Sequence, residues 1–240
     1  MNPKVSVILT SYNKPTFLAK AIQSVLSQTY DNYELIIADD NSSDPEVFRV
    51  IKSFSENIKV KWFNSFIKDE NRLETARYAT QINTAVREYS EGKYICYLAD
   101  DDYYYPLMLE KLVKNAEENS YDVCFCAQHI RDVDGNIDGG GVPGVGIRFF
   151  NSPLIRGADR LDHNQVMTTR RAFDIVDGWD DGPWWWSGAD SGFFDRLEKN
   201  GFIFYPIDYT EPLQAKVYRE KSVQWNMANN LNPTGESRIS

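Results

Sequence analysis

Tyr94-Ile95-Cys96-Tyr97-Leu98-Ala99-Asp100-Asp101-Asp102-Tyr103 joins a short apolar run directly to three consecutive carboxylates. A run apolar at successive positions reads as a strand buried on both faces, as in a sheet covered by helices on each side. Adjacent carboxylates repel one another and resist burial, so the triplet at the strand's end must be exposed or held by a cation. Two readings follow. One is a solvated acidic turn, the ordinary use of Asp. The other is a site for Mg2+ or Mn2+, hard cations that choose carboxylate oxygens and keep positions open for phosphates.

Upstream, residues 4–10 read Lys-Val-Ser-Val-Ile-Leu-Thr, a second doubly buried strand, broken by Ser11-Tyr12-Asn13-Lys14-Pro15. Phe17, Leu18, Ala21, Ile22, Val25 and Leu26 then recur at helical spacing across 17–29. Residues 33–38 repeat the strand pattern and end in Asp39-Asp40-Asn41-Ser42-Ser43-Asp44, with a helix expected over 45–54 and a strand over 58–63. Strands alternating with helices imply right-handed βαβ units and a parallel sheet. Ligands in such sheets sit beyond the carboxyl ends of the strands. Loops 10–14, 39–44 and 100–102 all fall there, so three strands deliver side chains to one edge. The spacing of Leu73, Ala76, Ile82, Ala85 and Val86 predicts one long helix over 69–88, interrupted by Arg72 and Arg77. Each arginine is either a solvated helix charge or a guanidinium fork for phosphate.

Downstream, a helix is expected from beyond Pro106 to about 119 and a strand over 122–127. Residues 132–146 are rich in Gly and Asp but lack the EF-hand spacing, and read as a hairpin turn plus a mobile loop. Asp162-His163, carrying one of two histidines, adjoins a strand-like segment. Trp184-Trp185-Trp186 cannot all enter one core; the run is either a packed hydrophobic loop or a flat face suited to sugar rings. Gly188-Ala189-Asp190-Ser191-Gly192-Phe193-Phe194 opens a helix to about 200, where Asp190 is a functional carboxylate or an N-cap. Residues 202–206 read as the last core strand, and beyond Tyr218 the sequence is polar and tail-like.

With 240 residues, 42% hydrophobic and a net charge of −9, the chain is an ordinary globular one and a poor nucleic-acid binder. An anionic ligand would need a mediating cation. No run approaches the roughly 18–20 apolar residues of a membrane span, and the first residues lack a leader's shape, so a cytoplasmic protein is expected. Cys96, Cys124 and Cys126 lie in apolar segments without the further ligands of a zinc site, and are read as reduced core residues.

In this order and spacing the motifs resemble the inverting family 2 glycosyltransferases of the GT-A fold, over residues 3–206. Pro3-Lys4-Val5-Ser6-Val7-Ile8 with Thr10-Ser11-Tyr12-Asn13-Lys14 resembles the family's opening strand and nucleotide loop. Asp39-Asp40-Asn41-Ser42 resembles its second acidic loop, and Arg77-Tyr78-Ala79 with Ile82-Asn83 its middle helix. Ala99-Asp100-Asp101-Asp102 stands where the family has its metal-binding Asp-x-Asp element; Asp162-His163 and the Gly188–Phe194 stretch resemble its acceptor-side motifs. The tripled Asp and the Trp run depart from the pattern.

The resemblance implies a Rossmann-like, mostly parallel sheet flanked by helices, with residues 1–105 as the nucleotide-sugar half, 106–220 as an abutting acceptor-binding half, and 221–240 as a tail. It implies that Thr10 and Tyr12 line the base pocket, and that Asp40, with Asp39 as its rival, accepts from N3–H of uracil or thymine. Arg72 would lie near base and phosphates, Asp100 near the ribose, and Asp101 with Asp102 would hold Mn2+ or Mg2+. The expected reaction moves sugar from a UDP- or dTDP-sugar to an acceptor hydroxyl. Asp190 is the general base, ionised at neutral pH like any ordinary carboxylate, and His163 is a structural or substrate-orienting histidine, with a second base as the alternative. One displacement inverts the anomeric centre without a second carboxylate nucleophile. The competing classes are a nucleotidyltransferase, which would want a Gly-rich phosphate loop that residues 10–15 lack, and a non-catalytic carbohydrate-binding module, which would have no use for the triplet.

Overall fold

The computed structural model describes residues 2–72, 74–131, 146–148, 153, 161–183, 188–207 and 212–217. In chain order the first half holds β1 (Val5–Ser11), α1 (Pro15–Leu26), β2 (Tyr33–Asp39), α2 (Pro45–Phe54), β3 (Val60–Asn64), α3 (Arg77–Thr84), β4 (Tyr94–Ala99) and β5 (Tyr103–Tyr104). The second holds α4 (Met108–Asn119), β6 (Val123–Phe125), β7 (Gln128–Arg131), β8 (Gly146–Arg148), β9 (Val166–Thr169), α5 (Arg170–Ile175), α6 (Ala189–Lys199), β10 (Phe204–Pro206) and β11 (Gln214–Val217).

β1 lies inside a seven-stranded sheet of order β10-β6-β9-β4-β1-β2-β3. It pairs parallel with β2 from Val5↔Tyr33 to Ser11↔Asp39, and parallel with β4 from Val5↔Tyr94 to Thr10↔Ala99. β9 alone reverses, antiparallel to β4 and β6, so the sheet is mostly parallel as expected. Because successive side chains point to opposite faces, β1 sends Val5, Val7 and Leu9 into one core and Ile8 into the other; β4 divides Cys96 and Leu98 from Ile95 and Tyr97 in the same way. Helices α1, α2 and α4 cover the first face, and α3, α5 and α6 the second. Cys96, Cys124 and Cys126 are free and buried, as the sequence implied. The register brings the ends of β1, β2 and β4 level, and the three polar loops leave the sheet at one edge.

The predicted long helix over 69–88 is not continuous. A 3-10 turn at Asp69–Asn71 is followed by α3 and then a π turn at Ala85–Tyr89. Tertiary bonds take the backbone and side chains between them: the Ala76 N–H donates to the Asp181 carbonyl (2.8 Å), and Arg72 and Arg77 turn inward onto Asp40. Within residues 202–206, β10 is the last strand of the seven-stranded core sheet, as expected. β11 follows, in a second sheet of order β5-β11-β7-β8, where Gln128 Nε2 donates to Gln214 Oε1 (2.6 Å) in full burial. β7 and β8 pair antiparallel on either side of the Gly-rich stretch. That stretch, Trp184-Trp185-Trp186 and the tail lie outside the described residues. Among the described residues no helix is long and apolar enough to cross a membrane.

Before α6, Gly178 takes φ +71°, and a Cβ there would meet Asn83 Oδ1 at 2.5 Å. The bare backbone lets Asn83 clamp Trp179 from both sides, accepting its N–H and donating to its carbonyl, each at 2.8 Å. Trp179, 2% exposed, stacks on Phe193 of α6 with ring centres 4.9 Å apart.

Candidate active site

The loop after β1 is fastened to both of its neighbours. The Tyr12 N–H donates to Asp100 Oδ2 (2.8 Å), while Asn13, at φ 52°, donates its N–H to Ser42 Oγ (3.0 Å) and accepts from the Ser43 and Asp44 N–H groups. Thr10 pairs with Ala38 and Ala99 on the adjoining strands. Asp39 is fully buried, its oxygens accepting from the Ser42 hydroxyl (2.6 Å), the Ser42 N–H (3.0 Å) and Asn64 Nδ2 (2.8 Å). Burial raises its carboxyl above the ordinary range against the pull of those Ser42 bonds. Asp39 thus closes the strand. Helix α2 is capped by Asp44, which accepts from the Glu46 N–H (2.9 Å), and not by Asp40.

Asp40 is instead the counter-ion of both arginines. Its Oδ1 accepts from Arg77 Nη2 (2.7 Å), Arg77 Nε (3.1 Å) and Gln81 Nε2 (2.8 Å), and its Oδ2 from Arg72 Nη1. Neither arginine is a solvated helix charge: Arg72 is 6% exposed and Arg77 9%. Arg72 also lies over the Tyr12 ring, its guanidinium carbon 3.9 Å from the ring centre, a cation–π contact. Tyr12, Arg72 and Asp40 therefore form one wall.

The acidic turn lies beside it. Asp100 and Asp102 are buried, and the Asp102 N–H closes the turn on the Ala99 carbonyl (3.1 Å). Lys14 places its ammonium 2.8 Å from Asp100 Oδ1 and 2.9 Å from Asp101 Oδ2. Burial raises the Asp100 carboxyl; Lys14 opposes that rise and Asp101 adds to it. Burial alone would discharge Lys14, yet Asp100 and Asp101 hold it well above its usual range. The triplet is thus neither freely solvated nor uncompensated.

On the far side of β4, Asn164 Oδ1 accepts the Ala99 N–H (2.6 Å) and ties the acidic turn to the 3-10 turn His163–Gln165. Asp162 begins that turn, accepting from the Asn164 N–H (3.0 Å) and from the Lys216 ammonium brought by β11. Gly188 is the N-cap of α6 and Asp190 its second residue, so Asp190 is not the cap. Asp190 Oδ1 accepts from the Ser191 N–H (2.9 Å), and Oδ2 lies 3.8 Å from His163 Nδ1. That buried nitrogen has no hydrogen-bond partner among the described residues. Tyr78 accepts the Ala189 N–H on its hydroxyl (2.9 Å) and stacks on His163, its phenol raised by burial and by the nearby Asp190. Asp190 and His163, 27 residues apart in the chain, thus share one corner.

Asp162 also sets an acid limit on stability. Burial would push its carboxyl up, but Lys216, His163 and the Asn164 N–H override that and hold it well below the usual range. A carboxyl lower in the folded than in the unfolded state contributes stability above its unfolded value, near pH 4, and loses it as pH falls further. The melting temperature is expected to drop steeply below about pH 4 and to do so less in Asp162→Asn, whose deficit at pH 7 narrows toward pH 3. Parallel acid limbs in the two proteins would remove Asp162 from this role.

The linear sequence assigned no role to Lys14, Tyr78, Gln81, Asn164 or Lys216. The signal available for Lys14 was its place in a loop due to face three carboxylates; the others become visible only through contacts between distant segments.

The profile described as Glycosyl transferase family 2 matches residues 6–173. Protein CgeD of Bacillus subtilis is 37% identical over 215 residues, covering 87% of this chain and 49% of its own length. Putative glycosyltransferase EpsE of the same organism is 32% identical over 187 residues, covering 72% of this chain and 64% of its own. The chain thus spans about half to two thirds of these relatives. Among solved structures, S. aureus TarS 1-349 in complex with UDP-GlcNAc superimposes with a TM-score of 0.70 at 17% identity, over 90% of this chain and 59% of that one. That likeness establishes the GT-A architecture of the sheet and its flanking helices. The profile match across the strands and loops that build the site, together with that architecture, shows that this chain belongs to glycosyl transferase family 2.

Proposed function

We propose that the chain transfers a sugar from a UDP- or dTDP-sugar to an acceptor hydroxyl with inversion, using a divalent cation held at the acidic turn. Residues 1–105 supply the donor half and 106–220 the acceptor half. The observation that carries this reading is the convergence at one sheet edge of the Tyr12–Arg72–Asp40 wall, the Asp100–Asp101 oxygens and the Asp190–His163 corner. The UDP-GlcNAc bound to TarS supports a uridine donor.

The donor set fits Mg2+ or Mn2+. Asp100 Oδ1 and Asp101 Oδ2 already converge on one positive atom, the Lys14 ammonium, and all the donors are hard oxygens. Among the described residues no three His, Cys, Asp or Glu surround a metal position. The protein would therefore give one or two carboxylates, Asp101 with Asp102 beside it, and the diphosphate and water the rest. When bound, the cation supplies Lewis-acid stabilisation of the departing nucleoside diphosphate.

The chain's own side chains do the remainder. Tyr12 offers a ring face at the base pocket beside Thr10. Asp40 Oδ2, bearing fewer donors than Oδ1, accepts N3–H of the pyrimidine, while Asp39 holds the loop. Arg72 screens the phosphates, and Asp100 meets the ribose. Asp190 Oδ2 takes the acceptor's proton as its oxygen attacks the anomeric carbon. His163, 3.8 Å away, orients that carboxylate and the acceptor.

The test is a calorimetric and thermal-shift titration of UDP, dTDP, GDP and CDP with and without Mn2+, on the wild type and Asp101→Ala. UDP or dTDP is expected to bind and stabilise the wild type in a metal-dependent manner, and the variant to lose the metal dependence. Nucleotide binding indifferent to both Mn2+ and Asp101 would overturn the metal-dependent reading. Absence of all nucleotide binding would leave a carbohydrate-binding module.

A further inference from the structure

The Lys14 ammonium lies 2.9 Å from Asp101 Oδ2, an oxygen of the carboxylate proposed above to hold the cation, and 2.8 Å from Asp100 Oδ1 beside it. Two positive charges cannot share those oxygens at ion-pair distance without strong repulsion. The Lys14 side chain is 22% exposed and its carboxylate partners 5% and 19%. Its backbone is fixed: Lys14 is the N-cap of α1, Pro15 opens the helix, and the Lys14 carbonyl accepts the Leu18 N–H (2.9 Å). The four-carbon stem is flexible. The ammonium can leave the carboxylates without disturbing the loop that carries Tyr12.

We infer that Lys14 is a resident counter-ion of the acidic turn that a divalent cation must displace, and that the donor's diphosphate receives the displaced ammonium. The inference rests on the metal reading proposed above. Its consequence is coupling. In the free protein Lys14 holds Asp100 and Asp101 together and competes with metal. Once a diphosphate is present, the ammonium gains an alternative anionic partner, and the carboxylates become free for the cation. Lys14 thereby makes metal affinity conditional on the nucleotide, and by reciprocity nucleotide affinity conditional on the metal. It acts as a positioning residue: it exchanges between two anionic partners and moves no proton.

The test is calorimetric Mn2+ titration of the full 240-residue chain as wild type, Lys14→Met and Lys14→Arg, each without and with saturating UDP, with thermal melting to verify folding. In the wild type UDP is expected to raise Mn2+ affinity by about tenfold or more, within the usual range of coupling between sites. Lys14→Met is expected to bind Mn2+ without UDP about tenfold more tightly than the wild type, and to show a smaller gain from UDP. Lys14→Arg, which keeps the charge, should stay weak without UDP. Should Lys14→Met fail to fold, Lys14→Gln gives the same comparison with a neutral donor. Equal Mn2+ affinity of wild type and neutral variant without UDP, both rising with UDP, would overturn the role of Lys14 and leave the metal site standing. Absence of Mn2+ binding to either protein even with UDP would overturn the metal site and this coupling together.

Discussion

Asp190→Asn is expected to lower turnover by at least about 100-fold, the usual contribution of a positioned general base, with UDP affinity unchanged. The substitution preserves shape. Asn keeps an oxygen for the Ser191 N–H, so the first turn of α6 is retained, and Tyr78 still receives the Ala189 N–H on its hydroxyl. What is lost is an oxygen able to take a proton, at the corner facing His163. The measurement pairs kcat for sugar transfer with the Kd of UDP. Near-normal turnover would place the base elsewhere. Parallel loss of turnover and UDP binding would make Asp190 a structural residue of the acceptor wall.

Asp40→Ala is expected to destabilise the fold by about 3–5 kcal/mol, as when one member of a buried ionic group is removed and the rest remain. The reason lies in what stays behind. Arg72 and Arg77, both under 10% exposed, would face each other with Gln81 and no carboxylate between them. Tyr12 would lose the fixed guanidinium on its ring. Urea unfolding at pH 7 measures the change, and a loss below about 1 kcal/mol, the scale of an exposed pair, would show that solvent reaches these arginines. In the proposed function, recognition of the pyrimidine and folding draw on the same carboxylate.

Much of this was legible in the linear chain. The strands at residues 4–10, 33–38 and 94–98 were visible because burial on both faces demands uninterrupted apolar runs. Helix α2 was placed at its observed bounds because Pro45 and Asp44 are local start signals. The failures share a cause. The span 69–88 carries a helical stripe, yet its middle is committed to Asp40 and Asp181, partners no local pattern names. β11 is four residues with Gln at its head, too short and too polar to announce itself, and is held by pairing with β5 and β7.

The sequence by itself determined the alternation of strands and helices, the position of three polar loops at one sheet edge, and the chemistry those loops carry. Periodicity, helix breakers and side-chain type are local properties, readable one segment at a time. The tertiary structure decided which side chains meet: Lys14 with Asp100 and Asp101, Arg72 and Arg77 with Asp40, Lys216 with Asp162, and His163 with Asp190. Partners 27 to 87 residues apart are matched by burial, since a charge withdrawn from water must find its counter-charge wherever the fold brings one within reach.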